Sequence, residues 1–421
     1  MCQSRFHCRE APSHSRPEPF LALRGSVALQ LFGQTLEHRS ATMPDEQITL
    51  EIVRDSDAMY ALRDDWSRLW QASANNFYLL DFAPLWRTWK QVLEPQGDTL
   101  HILVGRSARG TVLIWPQVIP AKRHYGIWRE ARWLGRDPID YGEVLIDASA
   151  ERDAWIAAAL EYHMANAKVD FLYFESVRAD SLVHPVLKRA HGWEEPDAPA
   201  PFADLRKMAS GSELEKKMPK RFRGSMNRRL RRLEEVGPVS FEHEPAPAGL
   251  EETVRWMNER KREWMDERGL VVGHGIEEEH GTSLIDIIRD GADAGHTLVS
   301  RLSVNDRLIA ASVNFLSNNR LYYDYGSFDL RWAKYSPGSL LLRETIRWAV
   351  ENGVEIVDLA RGTDHYKLKW SDGEVPVSDY YIPVSGLGRL YILLLKSPWI
   401  RALVRWAKAR STAPEAGESQ R

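Results

Sequence analysis

The sequence predicts an α/β (α+β) fold with mixed, centrally antiparallel sheets flanked by helices. Three observations lead there. Segments with the two-residue alternation of strands and segments with helical periodicity follow one another from residue 48 onward. Thr297-Val304, Leu308-Leu316 and Leu321-Gly326 are β-rich and separated by short polar turns, the first being Asn305-Asp306, as in an antiparallel meander. The stretch from Arg320 to Trp370 then reads as strand, loop, helix, strand and a polar loop rich in groups that can titrate.

Composition bounds the function. With 421 residues, 43% hydrophobic and 27% charged, the chain has room for two or three globular domains. A formal net charge of -3 exerts no global pull on nucleic acid or an anionic membrane, so any electropositive function is local. Cys2 and Cys8, the only cysteines, both lie in a short N-terminal segment not expected to belong to the fold, so no disulfide framework or thiolate metal site is expected, which fits a reducing, cytoplasmic setting. No run reaches the roughly 18 to 20 apolar residues of a membrane span. No cleavage-site pattern follows the N-terminus, so secretion is not expected.

The elements follow in order. Residues 1–45 are rich in Ser, Arg, Pro and His without periodicity and read as a disordered or non-native extension, with Met43 the expected native start. Ile48-Val53 opens as a strand. Asp57-Gln71 follows as one amphipathic helix with Met59, Leu62, Trp66, Leu69 and Trp70 on a face, and Asp81 is placed to cap a helix carrying Leu85, Trp86, Trp89 and Val92. Leu100-Gly105, Val112-Pro120 and Arg132-Leu134 read as strands. Asp140 and Glu143, before a further strand, are either a substrate-facing acidic pair or a solvated turn. Glu151-Ala167 is a helix, Phe171-Glu175 a strand and Ser181-His191 helical. Glu194-Pro201 reads as a connecting loop, with a domain boundary near Leu205.

In the second half, Lys and Arg crowd one helical segment between Lys216 and Arg232, broken at Pro219. Such a segment can meet nucleic acid, contact phosphate through arginine or form a solvated face; nucleic acid is not the expected partner. Leu250-Arg268 is a helix with the apolar line Val254, Trp256, Met257, Trp264 and Met265. The loop after it carries His274 and His280 at a spacing that matches no metal-ligand pattern. Ser336-Pro337-Gly338-Ser339 opens an apolar-periodic helix that Asn352-Gly353 stops, and Glu355-Ala360 is a short buried strand. Gly388-Ala407 is apolar and basic at once, suited either to packing on the domain or to peripheral contact with a membrane.

The run Tyr335-Ser336-Pro337-Gly338 with Leu340 and Leu341, followed by Asp358, Arg361, Gly362, Tyr366, Lys367 and Trp370 in the spacing D-x-x-R-G-x-x-x-Y-K-x-x-W, resembles the CelD-like branch of the GNAT N-acyltransferases, associated with cellulose and other exopolysaccharide synthesis. The last segment is also similar to the F-K-x-x-F-G element of the Fem-type peptidoglycan aminoacyltransferases. The resemblance spans roughly Ile48 to Pro383. It implies tandem GNAT-like domains at 46–205 and 206–385, the second catalytic, with a basic amphipathic helix and tail at 386–421.

The implied activity is transfer of an acyl group, acetyl foremost, from acyl-CoA to an amine on a sugar or cell-envelope precursor, without a metal. A Fem-like transfer from aminoacyl-tRNA and a non-catalytic partner of a polysaccharide synthase are the alternatives. Acyl transfer to an amine needs a held pyrophosphate, a polarised carbonyl and proton donors and acceptors at the reacting atoms. In a GNAT fold the pyrophosphate meets the N-terminus of the helix after the central strand. The resemblance therefore makes Tyr335, Ser336, Pro337, Gly338, Ser339 and Leu340 the cofactor-binding residues, with Arg361 beside them. The corner holds one glycine where the fingerprint R/Q-x-x-G-x-G/A has two positions, which leaves room for another donor. Asp324, Asp358, His365 and Tyr366 are placed for proton transfer, and Lys367 to steady negative charge; the catalytic set is Asp324, His365, Tyr366 and Lys367.

Overall fold

The computed structural model describes residues 47–73, 75–135, 141–149, 151–268, 278–362 and 365–397. The expected 1–45 extension, Asp140, His274 and the tail beyond 397 lie outside them, as does the side chain of His280.

The N-terminal half begins with strand Thr49–Val53 (β1) and helices Ser56–Ala61 (α1), Arg63–Ala72 (α2) and Phe82–Thr88 (α3). Strands Thr99–Leu100 (β2), Ile102–Ser107 (β3), Gly110–Trp115 (β4), Gln117–Ile119 (β5), Glu130–Trp133 (β6) and Leu145–Ile146 (β7) follow. Helix Arg152–Asn166 (α4), strand Phe171–Arg178 (β8), helix His184–Arg189 (α5) and strands Trp193–Pro196 (β9) and Ala200–Asp204 (β10) complete it. The C-terminal half contains Gly211–Lys217 (α6), Lys220–Glu234 (α7), Val239–Glu244 (β11), Leu250–Asp266 (α8) and Glu278–Asp293 (α9). The meander Thr297–Val304 (β12), Arg307–Ser317 (β13) and Arg320–Phe328 (β14) comes next, then Pro337–Glu351 (α10), Ile356–Asp358 (β15), His365–Leu368 (α11), Gly373–Val375 (β16), Val377–Pro383 (β17) and Gly386–Lys396 (α12).

The described strands form three sheets ordered β1-β3-β4-β7, β2-β5-β6-β8-β17-β9 and β11-β12-β13-β14-β15-β10-β16. The pairings are antiparallel except for β6 with β8 and β14 with β15, each of which encloses a helix, α4 and α10, in its connection. This is the mixed, centrally antiparallel α/β class read from the sequence. The Asn305-Asp306 turn has φ of 49° and 59°, the left-handed pair that a two-residue hairpin requires.

Three readings are corrected. The helix expected over Asp57-Gln71 is two, divided at Leu62, whose N–H bonds back to the Met59 carbonyl at 3.1 Å and tightens the turn. The strands expected over Leu100-Gly105 and Val112-Pro120 are each shared between two sheets. The chain changes sheet at His101 and at Pro116, which has no N–H to continue a ladder. The Glu194-Pro201 loop contributes to β9 and β10; Pro196 ends an edge strand, where a missing N–H costs little.

The halves exchange strands. β10 inserts between β15 and β16, and β17 inserts between β8 and β9. The largest buried cluster lies where the halves meet, joining Trp66, Phe77 and Leu85 to Phe315, Tyr322 and Val377, with the Phe77 and Tyr322 rings 4.5 Å apart. Asp358, fully buried on β15, accepts from the Tyr141 hydroxyl at 2.8 Å and from Arg178 at 2.5 Å, both in the N-terminal half, and from the Ala360 N–H at 3.0 Å. A buried carboxylate is tolerable only when so compensated. Arg178→Met removes its nearest cation and leaves Arg320 at 3.6 Å, and urea unfolding is expected to show a loss of about 3 kcal/mol.

His101 and His163 stack at 4.6 Å, both buried, and neither His101 Nε2 nor either ring nitrogen of His163 has a partner among the described residues. Burial first, and Arg54 second, hold the His101 imidazole down to about 4; burial also holds His163 well below its ordinary value. The unfolded chain takes up these protons near pH 6.5, whereas folded His101 takes one up only near 4 and folded His163 only well below 6.5. The stability they contribute is therefore present above pH 6.5 and lost as pH falls towards 4. Thermal midpoints measured across that window are expected to fall, and to fall less in His163→Phe.

Candidate active site

Strand β14 pairs with β13 along its length but with β15 only over Arg320–Tyr322, opposite Ile356–Asp358. Beyond Tyr322 and Asp358 the two parallel strands part. A bulge accompanies the parting: Val313 faces Tyr325 and Asn314 faces Tyr323, so Asp324 is the extra residue that re-aims the strand. The gap opens into a cavity of about 540 Å³. Its walls are Tyr323, Asp324, Gly326, Ser327 and Phe328 from β14, the turn Ser336–Ser339, and Ala360, Arg361, Tyr366 and Lys367 beyond β15.

Helix α8 and the residues just past it close the remaining side with Arg260, Lys261, Trp264 and Arg268. The helix is fixed to β14 by a bond from the Tyr325 hydroxyl to Asn258 at 2.8 Å. Arg268 lies 4.1 Å above the Trp264 ring and Lys261 5.2 Å from it, so the indole orders two cations along one wall. Lys367 is buried and donates to the Arg361 carbonyl at 2.6 Å, while Arg361 pairs with Asp197 at 2.5 Å. Five cationic side chains and one carboxylate, Asp324, thus face the cavity. Tyr323 is buried, which pushes its phenol up to about 12 and keeps it a neutral O–H donor.

At the cavity floor α10 begins. Ser336 takes the left-handed conformation at φ 53°, Pro337 supplies the first helical residue, and the Ser336 carbonyl accepts from the N–H groups of Ser339 and Leu340 at 3.1 Å. The positive end of the helix dipole therefore points into the site. A Cβ on Gly338 would meet only Phe328, at an ordinary 3.6 Å. Packing does not demand glycine here; its bare face keeps the corner open.

Of the residues expected to bind cofactor, Ser336, Pro337, Gly338, Ser339 and Arg361 line the cavity, and Tyr335 and Leu340 do not. Leu340 is fully buried with Leu341 and Ile309, because the helical period turns it to the sheet. Tyr335 packs on Trp332 at 5.7 Å. Of the expected catalytic residues, Asp324, Tyr366 and Lys367 line the cavity. His365 opens α11, and its side chain lies outside the described residues.

Asp358 faces away, consumed by its partners in the other half. Glu143 is neither substrate-facing nor solvated. It is buried and accepts from the backbone of Val144, Leu182 and Val183 and from Asn75, with burial raising its carboxyl to about 7. The basic helices α6 and α7 contribute nothing to the cavity wall; Arg223 bonds the Glu215 carbonyl and Lys217 pairs with Asp372. The α8 wall was missed. Trp264 had been counted in an apolar line, although Arg260, Trp264 and Arg268 recur at steps of four, the mark of one helix stripe.

Residues 220–368, which span the meander, the parted strands and α10, match the family model of the acetyltransferase (GNAT) domain. The C-terminal half holds a GNAT-type N-acyltransferase domain. No curated protein matches the sequence. Among solved structures the chain is similar to FemX, at 10% identity over 79% of this chain and 97% of that one, with a TM-score of 0.52. L-PGS from Bacillus licheniformis is similar at 10% identity over 81% and 96%, with a TM-score of 0.50. These likenesses are of fold alone. The matched segment includes the parted strands and the start of α10.

The cationic wall sets an expectation. Arg260→Ala with Arg268→Ala removes one cation paired with the exposed Glu263 and one exposed cation, so the unfolding midpoint is expected to stay within a few degrees. Binding of inorganic pyrophosphate, measured by calorimetry, is expected to weaken roughly tenfold or more.

Proposed function

We propose that the chain transfers an acyl group, acetyl foremost, from acyl-CoA to an amine on a sugar or cell-envelope precursor such as that of an exopolysaccharide. The observation that carries this reading is the parting of β14 from β15 beside the start of α10. An extended ligand with amide groups fits beside a strand edge, as peptides do in strand addition. Its phosphates suit the turn Ser336–Ser339 at the positive end of α10 and the guanidinium groups of Arg361, Arg260 and Arg268.

Cavity residues then take the proton traffic and the developing charge. Asp324 accepts the proton that the attacking amine must lose, Tyr366 or Tyr323 donates to the departing thiolate, and the Lys367 ammonium steadies negative charge. The acceptor class rests on the resemblance of the segments Tyr335 to Leu341 and Asp358 to Trp370 to the exopolysaccharide branch. A cytoplasmic site fits the donor; among the described residues no helix is long and apolar enough to cross a membrane.

Calorimetric titration with acetyl-CoA is expected to show one binding event, with slow release of thiol in the absence of acceptor. Neither binding nor release would overturn the reading, and transfer that requires aminoacyl-tRNA and is abolished by ribonuclease would replace it with the Fem-like one. Gly338→Val is expected to keep the unfolding midpoint while weakening acetyl-CoA binding roughly tenfold or more. Asp324→Asn is expected to leave donor affinity unchanged and lower kcat about a hundredfold.

A further inference from the structure

We propose that α12 and the neighbouring hairpin tip at Tyr125 dock the protein onto an anionic lipid surface. The sequence offers two fates for this segment, packing or membrane contact, and the helix has a face for each. Gly388, Tyr391 and Ile392 turn inward. Gly388 lies so close to the Asp170 backbone that no Cβ would fit, the Tyr391 ring stacks on Phe171 at 4.7 Å, and the Tyr391 hydroxyl bonds His124 at 2.8 Å. The Ser385 hydroxyl caps the first turn. Held this way, the helix cannot also bury its other side.

That other side is leucine. Leu387, Leu390 and Leu393 are 52%, 48% and 65% exposed, at steps of three along one stripe. Tyr125 and Ile127, 62% and 53% exposed, belong to the hairpin that His124 ties to Tyr391, so a second exposed apolar set adjoins the helix. Exposed apolar side chains clustered this way mark an interaction surface.

Charge chooses the occupant. Lys122, Arg123, Arg129, Arg389 and Lys396 are exposed on the same hairpin and helix. The neighbouring acids are engaged, Asp170 with Ser385 and the Arg129 N–H, and Glu195 with Trp193. From Gly386 to Pro414 the sequence contains no Asp or Glu, while Arg401, Arg405, Lys408 and Arg410 alternate with Trp399, Ile400, Leu403 and Trp406. A second copy seated here would set cation against cation. An anionic bilayer attracts the cations and takes up the leucines, as for helices that lie in the interface.

The test is co-sedimentation of the full chain with vesicles of phosphatidylcholine alone or mixed with phosphatidylglycerol. The expected result is capture by the mixed vesicles, weakening as salt is raised. Leu387→Ser, Leu390→Ser and Leu393→Ser together are expected to cut capture tenfold or more at an unchanged unfolding midpoint. Arg389→Glu with Lys396→Glu is expected to do likewise, at roughly fivefold per charge. No capture, or equal capture by neutral vesicles, would overturn the proposal. So would a leucine variant that changes only the oligomeric state in analytical ultracentrifugation, which would make the face a contact between copies. Neither result bears on acyl transfer.

Discussion

A buried carboxylate, Asp358, joins the two halves beside the cavity. Asp358 is the last residue of the short parallel pairing between β14 and β15; Arg178 and Tyr141 in the other half compensate it, with Arg320 of β14 at 3.6 Å. An isolated anion in that position would oppose folding. Met with both partners, it registers the halves against one another at the point where the strands begin to part. The chain leaving Asp358 runs directly to Ala360 and Arg361 on the cavity wall, so the bond that joins the halves also sets the direction of the loop that carries Arg361 and Lys367.

From that anchor the site follows by geometry. Pairing stops after Tyr322, the Asp324 bulge widens the gap, and the left-handed Ser336 aims the start of α10 into it. The C-terminal sheet supplies shape, and α8 supplies much of the charge. Trp264 is the hinge between these contributions, since it holds Lys261 and Arg268 along the wall without neutralising them. A net charge near zero for the chain thus coexists with a cavity whose lining holds five cations and one carboxylate.

Much of this was legible in the sequence, because strand and helix periods are local. The meander, its Asn305-Asp306 turn, α10 and the stop at Gly353 all follow from spacing and turn chemistry. The identity of each strand's neighbour is not local. Nothing in Leu100-Gly105 or Val112-Pro120 reveals that His101 and Pro116 are corners between sheets, and Arg178 is too far from Asp358 in sequence for their bond to be read. Motif spacing also carries no depth. Ser336 to Leu340 form one run, yet the helical phase sends Gly338 to the cavity and Leu340 to the core. The α8 wall was readable in principle, at Arg260, Trp264 and Arg268, and was hidden by counting an indole as core.

The exchanged strands carry a consequence for how the protein is made. β17 closes the N-terminal sheet between β8 and β9, yet it follows the whole C-terminal sheet in sequence. During synthesis both of those strands leave the ribosome long before the residues that will pair with them, so their edges wait exposed while the whole C-terminal half is translated. β10 waits in the same way for β15 and β16. The two halves therefore do not mature one after the other. Each is completed by strands of the other, and the gap between β14 and β15 takes shape only after β15 has been made.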